Sequence, residues 1–257
     1  MITKTASTLC ALAAALLCAI CSPMAAAIDI LVFDDNTVHG LAATAATNID
    51  PTAVIGDSAN FNTLLASQSW DAVLIDCPSN TPSGGWLPTI AFIANGGKVA
   101  MSFWDWDNDS GQGDPGLAAA FGSSGVTADY SLSGRTLTDA GTTPVFSGVT
   151  MSNSDWHDHW GDDGDAFGFT VVSGTVGMAN LSGITDPVMV RGNGGRTIAA
   201  FLIDEAGDTW LSDGSGVTLW ENMFYNLVPE PTAGALFVMG ALACIARRPP
   251  ARQRRQV

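Results

Sequence analysis

The sequence predicts an α/β fold, a mostly parallel sheet with helices on both faces. Three observations predict it. Runs such as Ile30–Phe33, Ala72–Ile75 and Ile198–Ile203 are wholly apolar and do not alternate, as strands buried on both faces require. Between the early runs lie stretches whose apolar residues fall on one helical face, for example Phe61, Leu64 and Leu65. The connections are short, which favours right-handed βαβ units.

Taken in order, Ile28–Phe33 reads as the first strand, ended by Asp34-Asp35-Asn36. Gly40–Thr47 is Ala-rich and predicts a short helix, with Asp50-Pro51 marking its end. Ala53–Ile55 is a brief second strand. Ser58 is placed to cap a helix over Ala59–Ala66. Ala72–Ile75 is the third strand, closed by Asp76-Cys77-Pro78. Trp86–Ala94 gives the next helix, and Asn95-Gly96-Gly97 is a strong stop. Lys98–Phe103 is the fourth strand, followed by a helix over Pro115–Phe121. This half is flavodoxin-like in its pattern. From about Ser123 to Asp186 the chain turns rich in Gly, Ser, Thr and Asp, with β-prone runs such as Phe167–Val172. That insertion predicts loops and antiparallel strands, packed on the sheet or extending it. Thr197–Ile203 and the amphipathic Val217–Leu227 then supply a closing strand and helix.

Both ends stand outside this domain, which spans residues 28–227. Met1–Ala27 has a basic Lys4, an apolar Leu9–Ile20 and a small-residue Ala25-Ala26-Ala27 site, the pattern of a secretory signal peptide handled by the Sec translocon. Cys21 follows Ile20 rather than Gly or Ala, so the leader does not read as a lipoprotein signal. At the other end, Pro229-Glu230-Pro231 precedes an uncharged apolar run, Thr232–Ala246, and then Arg247-Arg248. The apolar run falls short of the roughly 20 residues that span a bilayer comfortably, so it crosses only with tilt, thinning or snorkelling arginines. The arginines orient the tail with its basic end cytoplasmic and the rest of the chain outside. Residues 228–257 resemble the PEP-CTERM sorting tail of exported bacterial proteins. The resemblance implies an exosortase-type partner, processing of the tail and delivery to the envelope or cell surface. The alternative is an ordinary C-terminal membrane anchor.

Charge narrows the function classes. The domain holds Lys98, Arg135, Arg191 and Arg196 against 24 acidic residues, a formal charge of −20, compared with −15 for the whole chain. Such a surface repels nucleic acid and suits an exported protein or one that collects cations. Cys77 is the domain's single cysteine, so no disulfide forms within it, and beside an apolar strand it reads as a small hydrophobe.

Three constellations carry candidate chemistry. In Ile30–Asn36 and Ala72–Asp76, acidic groups end two strands, and adjacent parallel strands bring such carboxylates to one sheet edge. This arrangement resembles a response-regulator receiver domain. The resemblance implies Mg²⁺ held at Asp34 and Asp35, phosphate accepted by Asp76, and Ser102 at the family's hydroxyl position. The pattern departs at lysine: Lys98 precedes its strand, where the family has one after a fifth strand. Second, Trp70–Ile75 followed by a helix and Asn95–Met101 resembles class I glutamine-amidotransferase-like domains and their extracytoplasmic, sugar-associated relatives. Active members carry a Cys on the turn after the strand corresponding to Lys98–Phe103. Here the turn reads Ser102-Phe103-Trp104-Asp105, and Cys77 lies one strand too early. His39, His157 and His159 have no catalytic motif around them.

Third, Asp105, Asp107 and Asp109 recur at alternate positions beside Trp104 and Trp106, as Ca²⁺-loop carboxylates do, without the Gly and Glu that an EF-hand demands. Asp155–Asp165, with His157 and His159, is denser still. These stretches read as Ca²⁺ loops, as solvated acidic surface, or as aromatic faces for an extracellular polysaccharide. Two functional readings stay open. One is a non-catalytic surface or matrix module. The other is a metal-dependent, hydrolase-like or degenerate amidotransferase-like enzyme working through carboxylates at the sheet's carboxyl edge. They differ in whether Asp34, Asp76 and Asp105 share one pocket.

Overall fold

The computed structural model of the chain describes residues 28–35, 39–132, 135–141, 144–151, 165–204 and 207–228. The leader, the tail with Pro229, Glu230, Pro231, Arg247 and Arg248, and both His157 and His159 lie outside them. Among the described residues, no helix is long and apolar enough to cross a membrane.

The apolar runs form the centre of the sheet, as their lack of alternation requires. β1 (Ile30–Asp34), β2 (Val54–Gly56), β3 (Ala72–Cys77) and β4 (Val99–Phe103) pair in parallel in the order β2-β1-β3-β4. The fifth parallel strand, β10 (Thr197–Ala200), joins β4 only after the insertion has been threaded through. The insertion extends the same sheet. Going outward, β9 (Met189–Gly192), β8 (Val176–Leu181) and β6 (Leu137–Asp139) add antiparallel strands, giving an eight-stranded sheet. β5 (Ser123–Ser131) and β7 (Asp165–Val171) form a separate two-stranded ribbon. The predicted insertion thus both extends the sheet and packs on it, and its strands continue past Asp186 into β9.

Helices cover both faces. On one, α1 (Leu41–Ile49) and α6 (Ser215–Leu227) lie over Ile30, Val32, Leu74 and Ile198. α6 buries Leu219, Trp220, Met223, Phe224 and Leu227, a stripe at helical spacing. The short α5 (Gly207–Ser212) precedes it and had no signal in the sequence reading. On the other face, α2 (Phe61–Leu65), α3 (Leu87–Ala94) and α4 (Leu117–Ala120) cover Leu31, Phe33, Val73, Ile75 and Met101. An edge-to-face aromatic chain runs through this second core. Phe61 meets Phe33 at 5.1 Å between ring centroids, Phe33 meets Trp86 at 5.7 Å, and Trp86 meets Phe103 at 5.3 Å. Phe103 then meets Trp106 at 5.8 Å, and Trp106 meets Phe121 and Phe169. Such pairs add about 0.5–1.5 kcal/mol each beyond the area they bury.

Several boundaries differ from the sequence reading for local reasons. Asp57, not Ser58, organises the start of α2: its Oδ1 accepts the amides of Ala59 and Asn60. α4 starts only at Leu117, because Asp114 folds Pro115 and Gly116 into a turn through the Gly116 amide. β10 ends at Ala200 rather than Ile203, although Phe201, Leu202 and Ile203 stay fully buried. Their amides leave the ladder for the Val188 carbonyl, the Asp165 carbonyl and the Ser102 hydroxyl.

Candidate functional site

The sheet brings acidic residues together at its carboxyl edge. Asp34 stands opposite Asp76, Asp76 opposite Ser102, and Ser102 opposite Ala200. From β1 the chain moves to β2 on one side, and from β3 to β4 on the other. The crevice of an open α/β sheet lies at that reversal. The sequence reading sent Asp34, Asp35 and Asp76 to this edge, and they are there. It missed Asp204, which enters the same crevice from the loop after β10. Asp204 carries the signature that marked the others, an apolar run ending in Asp.

The environment of these carboxyls is unusually dry. Asp35 is buried, and its Oδ2 accepts the amides of Ser79 at 2.8 Å and Asn80 at 2.7 Å, so it ties down the loop after β3. Asp76 is only 2% exposed. Its Oδ2 accepts the Ala42 amide at 3.4 Å, and its Oδ1 is buried with no hydrogen-bond partner among the described residues. Burial pushes this carboxyl well above the ordinary range, and the charges of Asp204 and Asp34 add to the push. Asp204 is 3% exposed; its Oδ2 accepts the His39 amide at 2.8 Å, and its Oδ1 likewise lacks a partner among the described residues. Burial raises it to about 7, against the lowering effect of the His39 amide and with further repulsion from Asp34 and Asp35. Asp34 is half-buried. Gly40, left-handed at φ 62°, passes so close that a Cβ there would lie 2.9 Å from Asp34 Oδ2.

Basic side chains sit elsewhere. Lys98 and Arg196 immediately precede β4 and β10, at the opposite edge of the sheet. Arg196 donates to the carbonyls of Asn193 and Ile93, Arg191 to those of Gly195 and Asn226, and Arg135 to those of Ser131 and Ser182.

The nucleophile positions are occupied structurally. Ser102 is fully buried; its hydroxyl donates to the Phe201 carbonyl at 3.0 Å and accepts the Ile203 amide at 2.9 Å. A nucleophile elbow strains its residue on a sharp strand-to-helix turn. Among the described residues, the non-glycines with positive φ are Asn108 and Asn193. Cys77 is buried, its thiol donates to the Asn80 carbonyl at 3.2 Å, and burial pushes its pKa well up.

Asp105 follows β4 into a loop of its own. It is 1% exposed, and its own loop wraps it: Oδ1 accepts the Ser110 amide at 3.1 Å, and Oδ2 accepts those of Gln112 and Gly113, each at 2.7 Å. Asp107 and Asp109 are exposed, and with Asp105 they offer oxygens within 4.8 Å of one another. Among the described residues this is the only trio so tightly grouped. Burial raises Asp107, and the charges of Asp109 and Asp105 add to the rise. Trp106 is buried and donates its Nε1–H to the Ala200 carbonyl at 3.0 Å, while Trp104 is half-buried. Trp106 therefore offers no open ring face for a sugar.

The fold has solved counterparts. It is similar to a ThuA-like protein from Bacteroides uniformis (TM-score 0.51, 13% identity, 82% of this chain and 95% of that one). It is similar also to a protein assigned as a GMP synthase subunit from Thermoplasma acidophilum (0.50, 13% identity, 83% and 98%). The N-terminal domain of mmIFT52 matches to a like degree (0.51, 8% identity, 79% and 98%). At these identities the likeness is one of fold. No protein-family model matches the sequence, and no curated protein does.

Proposed function

We propose that this chain is an exported, envelope- or surface-associated module with an amidotransferase-like fold and no amidotransferase chemistry, and that its acidic side collects divalent cations. The observation that carries the loss of chemistry is Ser102. It stands at the end of the strand after which active amidotransferase-like domains place their Cys, and its hydroxyl is consumed by two backbone groups. Cys77, one strand earlier, is buried and protonated. Export and delivery are supported by the two ends: the signal-like Met1–Ala27, and Pro229-Glu230-Pro231 followed by an apolar run and Arg247-Arg248. In this reading an exosortase-type enzyme and the Sec translocon are the sorting partners. The acidic loop Asp105–Asp109 is a Ca²⁺ site, and the Asp34–Asp76 edge is an Mg²⁺ site.

A second reading is favoured by one observation. Asp34, Asp76 and Asp204 converge in a buried crevice instead of scattering over the surface, as a carboxylate-based, metal-dependent hydrolase requires. Assays of the protein purified from its own host separate the two. The module reading expects no glutamine hydrolysis, no hydrolysis of phosphate esters or glycosides with Mg²⁺, and a cleaved C-terminus by intact mass. Mg²⁺-dependent turnover abolished by Asp76→Asn would overturn it in favour of the enzyme.

A further inference from the structure

We infer that Asp76 and Asp204, with Asp34 beside them, hold one hydrated divalent cation of the Mg²⁺ type in the crevice between the carboxyl ends of β1, β3 and β10. The inference rests on the reading that the acidic domain collects cations, and it makes Asp204 rather than Asp35 the partner of Asp76.

The geometry points there in four steps. Asp76 and Asp204 each have one oxygen pinned by a backbone amide, from Ala42 and His39, and a second oxygen buried with no partner among the described residues. A buried carboxyl oxygen left unmatched is costly, and a bound ion or its waters supply the missing partner. The amides act on these carboxyls as outer-shell donors act on metal ligands, fixing orientation while leaving the free oxygen to the ion. No guanidinium among the described residues compensates the charge, since Arg135, Arg191 and Arg196 are each bonded to backbone carbonyls elsewhere.

The spacing selects the kind of ion. The crevice oxygens do not meet the 4.8 Å grouping that Asp105, Asp107 and Asp109 reach. A bare Ca²⁺ with six to eight protein oxygens does not suit such a site. Mg²⁺ keeps several waters and is bound through one or two carboxylates, which matches two free oxygens and a third carboxylate reached across water. The Oδ2 of Asp35 is engaged by the Ser79 and Asn80 amides, where it builds the wall of the crevice.

The test uses the full chain in detergent micelles and Mn²⁺ as a paramagnetic stand-in for Mg²⁺. Free Mn²⁺ is counted by its spin-resonance signal, with Mg²⁺ as competitor. The wild type should bind Mn²⁺ with a Kd of about 10⁻⁴ to 10⁻³ M. Asp204→Asn and Asp76→Asn should each lose one equivalent, or weaken it by at least about tenfold, and Asp34→Asn should weaken it less. The double variant Asp107→Asn/Asp109→Asn should keep that equivalent. In the wild type, Mn²⁺ should broaden the amide resonances of His39 and Ala42. Far-UV circular dichroism checks that the variants fold, and Asp34→Asn, at a half-exposed position, serves if the buried ones do not. Binding unchanged in all three crevice variants, or broadening confined to Ser110–Gly113, overturns the crevice site and leaves the broader cation reading standing. No Mn²⁺ bound at several millimolar overturns both.

Discussion

The hydroxyl of Ser102 donates a 3.0 Å hydrogen bond to the carbonyl of Phe201, clamping the end of β4 to the segment that leaves β10. The same oxygen accepts the Ile203 amide. Ser102→Ala leaves a donor and an acceptor buried and unmatched, which costs about 2 kcal/mol. For a domain of this size that is a fall of roughly 4–8 °C in Tm. An unchanged melt would show that Ser102 is not the clamp described here.

Asp204 predicts an inverted pH dependence of stability. An unfolded Asp titrates near 3.9, whereas Asp204 in the fold titrates at about 7. Between those values the folded chain binds the extra proton. Its contribution is therefore fully present below about pH 4 and is lost as pH rises through about 7, amounting to roughly 4 kcal/mol. Asp76, raised by burial and by Asp204 and Asp34, acts in the same sense. Thermal melts in chelator should give a lower Tm at pH 8 than at pH 5.5, and Asp204→Asn should flatten that slope. A wild-type Tm that climbs across this range contradicts the burial of these groups.

The three aspartates of the Trp–Asp loop should separate by role. Asp105 holds the amides of Ser110, Gln112 and Gly113, and Trp86 donates its Nε1–H to the Gln112 carbonyl on the same loop. Asp105→Ala should cost about 3 kcal/mol, since hydrogen bonds to a charged acceptor are the stronger kind. Asp107→Ala and Asp109→Ala, both exposed, should stay within about 0.5 kcal/mol in chelator. Urea unfolding of the three variants checks the ranking, and equal effects would refute it.

Residues 28–227 should fold alone. Both apolar cores draw on β1 at one end and the first draws on α6 at the other, so truncation inside those elements removes packed residues. The span should be soluble, with a cooperative melt; an aggregate or a disordered circular-dichroism spectrum places the boundaries elsewhere.

The tail should act as a processed sorting signal. Arg247→Ala/Arg248→Ala should stall the chain before surface delivery, and Glu230→Ala should block processing. Intact mass of the surface-delivered protein is the measurement. Finding Arg252–Val257 still attached to correctly delivered protein rules processing out.

The parallel core and the shared edge of Asp34 and Asp76 were legible in the residues alone. An apolar run without alternation must be buried on both faces, and right-handed crossovers leave adjacent strands parallel with their carboxyl ends together. Who else stands at that edge, and what each polar group does there, came from the closed fold. Asp204 arrives through β10, after an insertion whose β-prone runs, Phe167–Val172 among them, predicted antiparallel strands but not which of them form the β5–β7 ribbon and which the β9–β8–β6 extension. Ser102 became a clamp because the buried amide and carbonyl it satisfies lie at Ile203 and Phe201, partners that no local pattern announces. Asp105, spaced like a ligand, is also the hub of its own loop, and Trp106 is buried between Phe103, Phe121 and Phe169. Local pattern dictates which backbone a segment forms. Burial and hydrogen-bond satisfaction, which assign roles to side chains, depend on residues distant in the chain that only the closed sheet brings within reach.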